Sequence, residues 1–251
     1  MQKKIPVSIA IIVKNEERNI AEALESVRDF DDIVVVDSFS DDRTVELCRK
    51  YTDRVYQHEW VNFSKHKQIA VDYAKNEWVF ILDADERATP ALKAEIVSRI
   101  KDEKISGYFA PRKNYFLGRW IRHSGWWPDY SMRLFRKSVS HLEPREVHER
   151  VLVNGLTAHL KEPFEHYTYR TVSEYIAKME RYSTMSAKEI YDKKAAKAVL
   201  SIFINPPAAF FRMYFLQQGF RDGLHGFVLA ALYSFYTFLK YLKVWERKHC
   251  A

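Results

Sequence analysis

The chain has 251 residues, 47% of them hydrophobic and 29% charged, with only seven glycines and eight prolines. That length and composition exclude a disordered or low-complexity protein and leave room for one large α/β domain with a smaller appended element. Its two cysteines, Cys48 and Cys250, lie far apart, so neither a disulfide framework nor a metal-spaced cysteine cluster is present. The formal charge of +7 is uneven: from Thr171 onward 12 Lys and Arg stand against 6 Asp and Glu. A near-neutral front part argues against a nucleic-acid groove along the protein.

The run Val7–Val13 near the N-terminus is a buried strand in pattern, not a signal peptide, which predicts a chain on the cytoplasmic side. Asn15 then offers an N-cap, followed by Glu16 and Glu17, with Ile20, Leu24 and Val27 at helical spacing. Ile33–Val36 is a second strand, ending in Asp37, and a polar loop, Ser38 to Asp42, leads to a helix carrying Val45, Cys48 and Tyr51. Arg54–Gln57 reads as a third strand, and Ser64 can cap a helix through Ile69, Ala70 and Tyr73. Trp78–Leu82 is a fourth strand, closed by Asp83-Ala84-Asp85-Glu86, after which Thr89-Pro90 opens another helix.

Strands alternating with amphipathic helices imply a mostly parallel sheet covered on both faces, with ligands bound beyond the carboxyl ends of its strands. The polar and acidic residues fall there: Asn15-Glu16 after the first strand, Asp37 after the second, Asp83 and Asp85 after the fourth. Two carboxylates one residue apart suit a hard divalent cation that takes its remaining ligands from water and phosphate. Alone, the tripeptide reads first as a solvated acidic turn capping the next helix; the preceding Trp78–Leu82 run and the other acidic strand ends turn the reading toward a cation.

From about Ser106 the alternation loosens. Gly107–Arg112 and Ser131–Arg136 read as strands around a stretch rich in tryptophan and arginine. Aromatic faces suit a sugar ring and arginine forks suit anionic groups. Past Thr171 the chain turns helical, with Tyr175, Met179, Tyr182 and Met185 on one face, an interruption at Asn205-Pro206-Pro207, and a last apolar segment from Phe227 to Leu242. That segment, at about sixteen residues, falls short of the roughly twenty needed to span a bilayer. Its flanking lysines and arginines suit a helix lying at a membrane surface, while a packed helical subdomain fits as well.

Val7–Val13 with Asn15-Glu16, Ile33–Asp37 with Ser40-Asp41, and Val79–Asp85 together resemble family 2 glycosyltransferases of the GT-A fold. Gly125 to Asp129, Arg133 to Arg136 and Val147-His148-Glu149 resemble the lipopolysaccharide inner-core β-glucosyltransferase subgroup in particular. The resemblance implies an α/β fold with a GT-A domain over 1–170 and a helical, membrane-associating extension over 171–251. It implies an inverting hexosyltransferase, using a UDP-sugar with Mg²⁺ or Mn²⁺ and acting on a glycolipid acceptor at the inner face of the cytoplasmic membrane. On this basis Val13, Glu16, Asp37, Lys67 and Asp83 hold the nucleotide sugar, and Asp85 with His166 the metal. Trp126, Trp127 and Arg133 meet the acceptor, and Glu149 is the catalytic base, with Asp129 second. His148 stands where the family usually has an acidic residue. Transfer to a polyprenyl phosphate, or an inactive nucleotide-sugar-binding protein, are the alternatives, and self-association stays open.

Overall fold

In the computed structural model, residues 4–143, 150–194 and 198–249 are described. They form two compact units, one of residues 1–113 and 130–166, the other of 114–129 and 167–251.

The first unit opens with β1 (Ile5–Val13), α1 (Ile20–Ser26), β2 (Phe30–Asp37), α2 (Thr44–Cys48), β3 (Val55–Gln57), α3 (Phe63–Asp72) and β4 (Trp78–Ile81). It continues through β5 (Glu86–Ala88), α4 (Pro90–Arg99) and β6 (Ile105–Phe116), whose last three residues belong to the second unit with β7 (Arg119–Trp120). Then come β8 (Asp129–Arg136), β9 (Ser140–Glu143), β10 (Arg150–Val153), β11 (Leu156–His159) and β12 (Phe164–Tyr169). The main sheet runs β3-β2-β1-β4-β8-β6-β12-β5, with β11 and β7 also on β6, and β9 pairs β10 separately. The pairs β1/β2, β1/β4 and β2/β3 are parallel, while β4/β8 and β5/β12 are antiparallel.

Alternate residues of β1 face opposite sides, and both sides are buried. Ile9, Ile11 and Val13 join Leu24 of α1 and Leu92 of α4 in one core, and Ala10 joins Val34, Val36 and α3's Ala70 and Val71 in another. The predicted α/β sheet is therefore present.

Local boundaries differ from the sequence expectation for definable reasons. Asn15 is not a cap: it sits at φ 55° and its side chain accepts from Asp41 N at 3.0 Å, so α1 begins only after Asn19. Asn62, not Ser64, caps α3, accepting from Lys65 N at 2.8 Å. Thr89 caps α4 as expected, through Leu92 N.

The second unit holds α5 (Val172–Lys194), α6 (Ala198–Phe211), a π turn (Arg212–Leu216), a 3-10 turn (Gly219–Asp222) and α7 (Gly223–His249). Its core gathers Phe116, Ile121, Tyr175, Met179, Met213, Leu229 and Ala230. Tyr175 and Met179 are buried as expected, but the face continues through Ser183 and Ala187, and Met185 is exposed. The prolines at 206 and 207 lie inside α6, so the expected interruption is absent; the Pro206 carbonyl accepts from Ser234 Oγ at 2.8 Å. The last helix has 27 residues instead of about sixteen.

Candidate active site: the rim beyond β1, β2 and β4

Chain order defines the position of the site. From β1 the chain goes to β2 and β3 on one side, then crosses to β4 on the other side of β1. Connections that diverge in this way leave a crevice at the carboxyl ends of β1 and β4, where α/β sheets bind their ligands. Asp83-Ala84-Asp85 follows β4 at that point.

Asp83 is gripped by two cations. Lys67 Nζ, from the buried side of α3, lies 2.8 Å from Oδ1, and both terminal nitrogens of Arg133 lie 3.3 Å from Oδ2. Arg133 comes from β8, whose register sets Leu134 opposite Phe80. The same guanidinium donates to Glu86 Oε1 at 2.7 Å and lies over the Phe164 ring. Glu86 is fully buried, and its other oxygen accepts from Asp83 N at 2.9 Å. Burial opposes ionisation of Asp83, yet Lys67 and Arg133 outweigh it and hold its carboxyl well below the usual range. Burial pushes the Glu86 carboxyl up, against the pull of Arg133.

Asp85 lies beside this cluster, with Oδ2 3.3 Å from His166 Nε2. Strand register explains the approach, since β12 sets His166 opposite Glu86. The Asp85 side chain is 26% exposed. A carboxylate that solvent reaches, with an imidazole nitrogen beside it, fits a divalent cation that completes its shell from diphosphate and water. Among the described residues, no three His, Cys, Asp or Glu are grouped to cage an ion by themselves.

At the other side of β1, Val13 is paired with Asp37 and its carbonyl accepts from Ser38 N at 2.9 Å. Asp37 is buried and already accepts from Ser40 Oγ at 2.5 Å, Ser40 N at 3.1 Å and Gln57 Nε2 at 3.0 Å. Glu16 donates its N–H to Thr44 Oγ1 at 2.8 Å and accepts from Asn19 Nδ2 at 2.8 Å. The first unit thus gathers Val13, Glu16 and Asp37 at the exits of β1 and β2, and Lys67, Asp83, Asp85, Arg133 and His166 beyond β4.

The remaining expected residues fall elsewhere. Trp126, Trp127 and Asp129 belong to the second unit. There Trp127 packs edge-on against Trp120 at 5.4 Å, and Asn114 Nδ2 donates to Asp129 Oδ2 at 3.1 Å and to the Trp126 carbonyl at 3.2 Å. Glu149 lies outside the described residues. Sequence reasoning missed Glu86 and the pairing of Arg133 with Asp83. The first stood in plain view beside Asp85; the second depends on the β4/β8 register, which no local pattern encodes.

A mixed, mostly parallel α/β sheet with acidic and basic groups gathered at its switch point has the layout of an α/β protein whose ligand site lies at the strand ends. The profile of glycosyl transferase family 2 matches residues 8–166, and the chain belongs to that family: it is a glycosyltransferase. It is 29% identical over 98% of its length, and 94% of the relative's, to the lipopolysaccharide core biosynthesis glycosyltransferase LpsC of Rhizobium meliloti (strain 1021). It is 27% identical, over 96% of its length and 90% of the relative's, to an uncharacterised glycosyltransferase of Rickettsia conorii (strain ATCC VR-613 / Malish 7). Among solved structures it resembles residues 1–349 of S. aureus TarS in complex with UDP-GlcNAc. That match has a TM-score of 0.52 at 14% identity, covering 97% of this chain and 91% of that one, and shows the shared GT-A fold.

Proposed function

We propose that the protein is an inverting, metal-dependent hexosyltransferase that moves a sugar, glucose first among candidates, from a UDP-sugar to a lipopolysaccharide-core glycolipid. The observation that carries this reading is the Asp83–Asp85 turn at the switch point, with Lys67 and Arg133 on one carboxylate and His166 beside the other. The acceptor class rests on the whole-length similarity to LpsC.

In this reading Asp85, with His166 beside it, would hold Mg²⁺ or Mn²⁺, and the ion would supply positive charge against a departing diphosphate. Lys67 and Arg133 keep Asp83 ionised and fixed, so that it accepts hydrogen bonds from ribose or sugar hydroxyls. The same two cations supply positive potential along the path of the leaving group. Val13, Glu16 and Asp37 form the nucleoside end. Glu149 removes the acceptor hydroxyl proton, with Asp129 as the second candidate, and Trp126 and Trp127 offer ring faces to the acceptor.

The second unit favours peripheral attachment to the inner face of the cytoplasmic membrane. Segments Val199–Leu216 and Gly219–His249 are each long and apolar enough to cross a bilayer by length and composition, and only 11% and 22% of their most apolar windows are buried. Leu200, Phe203, Leu216 and Leu224 are among their exposed side chains, and Arg247 and Lys248 are exposed toward the C-terminal end, whereas Lys243 is bonded to Glu180. Apolar side chains sunk at the headgroup boundary, together with basic groups facing anionic lipid, suit such attachment.

A panel of nucleotide sugars, each with Mn²⁺ and with glycolipid or polyprenyl phosphate as acceptor, tests the assignment. Release of UDP that depends on a core glycolipid supports it. Release that needs polyprenyl phosphate overturns the acceptor, and failure to bind any nucleotide sugar overturns the whole reading.

A further inference from the structure

Phe39 follows Asp37 by two residues at the exit of β2, and its backbone sits at φ 54°. That left-handed conformation suits glycine or asparagine and is strained for a bulky side chain. The strain is locked in from both sides. Ser38 N donates to the Val13 carbonyl, Ser40 N and Oγ bond Asp37, Asn15 N donates to Ser40 Oγ, and Lys14 Nζ reaches the Phe39 carbonyl. Core packing does not account for the ring, which is 50% exposed. A strained residue held by its surroundings, with its side chain left in solvent, is a pattern that accompanies ligand contacts.

The neighbouring rim offers few other rings. The loop after β1, Lys14 to Asn19, contains no aromatic residue. Trp60, beyond β3, already lies against His66 and Phe63, each at 4.8 Å between ring centres. Phe39 has no ring partner among the described aromatic pairs. Its position also matches the reach of a nucleoside diphosphate. β2 and β4 flank β1, so their ends stand about 10 Å apart at the usual strand spacing. A diphosphate seated at Asp85 therefore carries its nucleoside toward the end of β2.

We propose that Phe39 is the stacking platform for the donor's nucleobase, and that it holds the base through its ring face while Asp37 stands behind it. The proposal rests on the nucleotide-sugar reading given above and adds a specificity-determining residue to it. Every base has a flat π face, so Phe39 contributes affinity for a nucleoside diphosphate over a bare diphosphate.

The test is calorimetry of UDP and of pyrophosphate, both with Mn²⁺, on the full chain and on Phe39→Gly and Phe39→Asn. Both replacements accept the left-handed backbone, so neither relies on a strained loop. UDP affinity is expected to fall about tenfold in both variants, with pyrophosphate affinity unchanged and the thermal midpoint held or raised. Unchanged UDP affinity overturns the proposal, and so does an equal loss for pyrophosphate, which would mean that the loop and not the base contact had been damaged. A lowered midpoint in both variants overturns it too, by making the ring structural. If the unaltered chain binds pyrophosphate but not UDP, the nucleotide-sugar reading itself fails.

Discussion

Arg133 is one guanidinium serving two carboxylates, Asp83 and the buried Glu86. Replacing it with methionine removes the partner of both, and breaking a buried pair from one side costs about 3–5 kcal/mol. Arg133→Met should therefore lower the thermal midpoint clearly, and Arg133→Lys should recover only part, because a single ammonium cannot span both carboxylates. A midpoint unchanged by Arg133→Met would contradict the network. Asp42 supplies a pH test. Burial opposes its charge, but the Thr44 hydroxyl and amide and the Glu17 amide hold its carboxyl below the usual value. A lowered folded value means a stabilising contribution present above the unfolded value, about 3.9, and lost as pH falls through the folded one. The stability gap between the native chain and Asp42→Asn should accordingly be open at pH 6 and close below about pH 4 in denaturant titrations. Cys48, fully buried and with its thiol pushed up to about 12 by burial first and Asp37 next, should resist alkylation at pH 8 until the chain unfolds. At this scale the sequence was informative about position, wherever a polar residue closes an apolar strand. Asp37, Asp83 and Asp85 were legible for that reason, whereas the strain at Phe39 was not, because a backbone angle imposed by bonds to Lys14, Ser38 and Ser40 leaves no mark on composition.

The elements themselves separate in the same way. Strands β1, β2 and β4 were readable because each is an apolar β-branched or aromatic run buried on both faces, and the partly buried β3 because it continues their alternation with helices. Strand β5 was not, since Glu86-Arg87-Ala88 has no strand pattern and exists through its pairing with β12. Proline suggested a break at 206, yet α6 continues through it, with packing overriding local propensity. Gly226 tests how tightly that helical unit is built. A Cβ added there would meet the Gly219 carbonyl oxygen at 1.9 Å, too close for any side-chain adjustment to relieve. Gly226→Ala should then destabilise the protein by about 1–3 kcal/mol, despite alanine's better helix propensity, as thermal melts would register. A stabilised variant would show that the approach of α7 to the Gly219–Asp222 turn is looser than described.

For the whole molecule, the question is what the apolar side of the second unit meets. Composition signalled it, but only the structure showed Phe203 71% and Leu224 72% exposed on helices of this length. Vesicles rich in anionic lipid should carry the full chain into the pellet, less so at high salt, and Phe203→Asp with Leu224→Asp should return it to the supernatant with its melting behaviour kept. A chain that ignores such vesicles has another use for these side chains. The account as a whole depends on Asp85, and the most direct measurement is calorimetric UDP binding with and without Mn²⁺, for the native chain and for Asp85→Asn. Binding that requires the cation in the native chain, and loses that requirement together with most of its affinity in the variant, is the predicted result. Native binding indifferent to the cation, or a variant that keeps the full cation response, would contradict it.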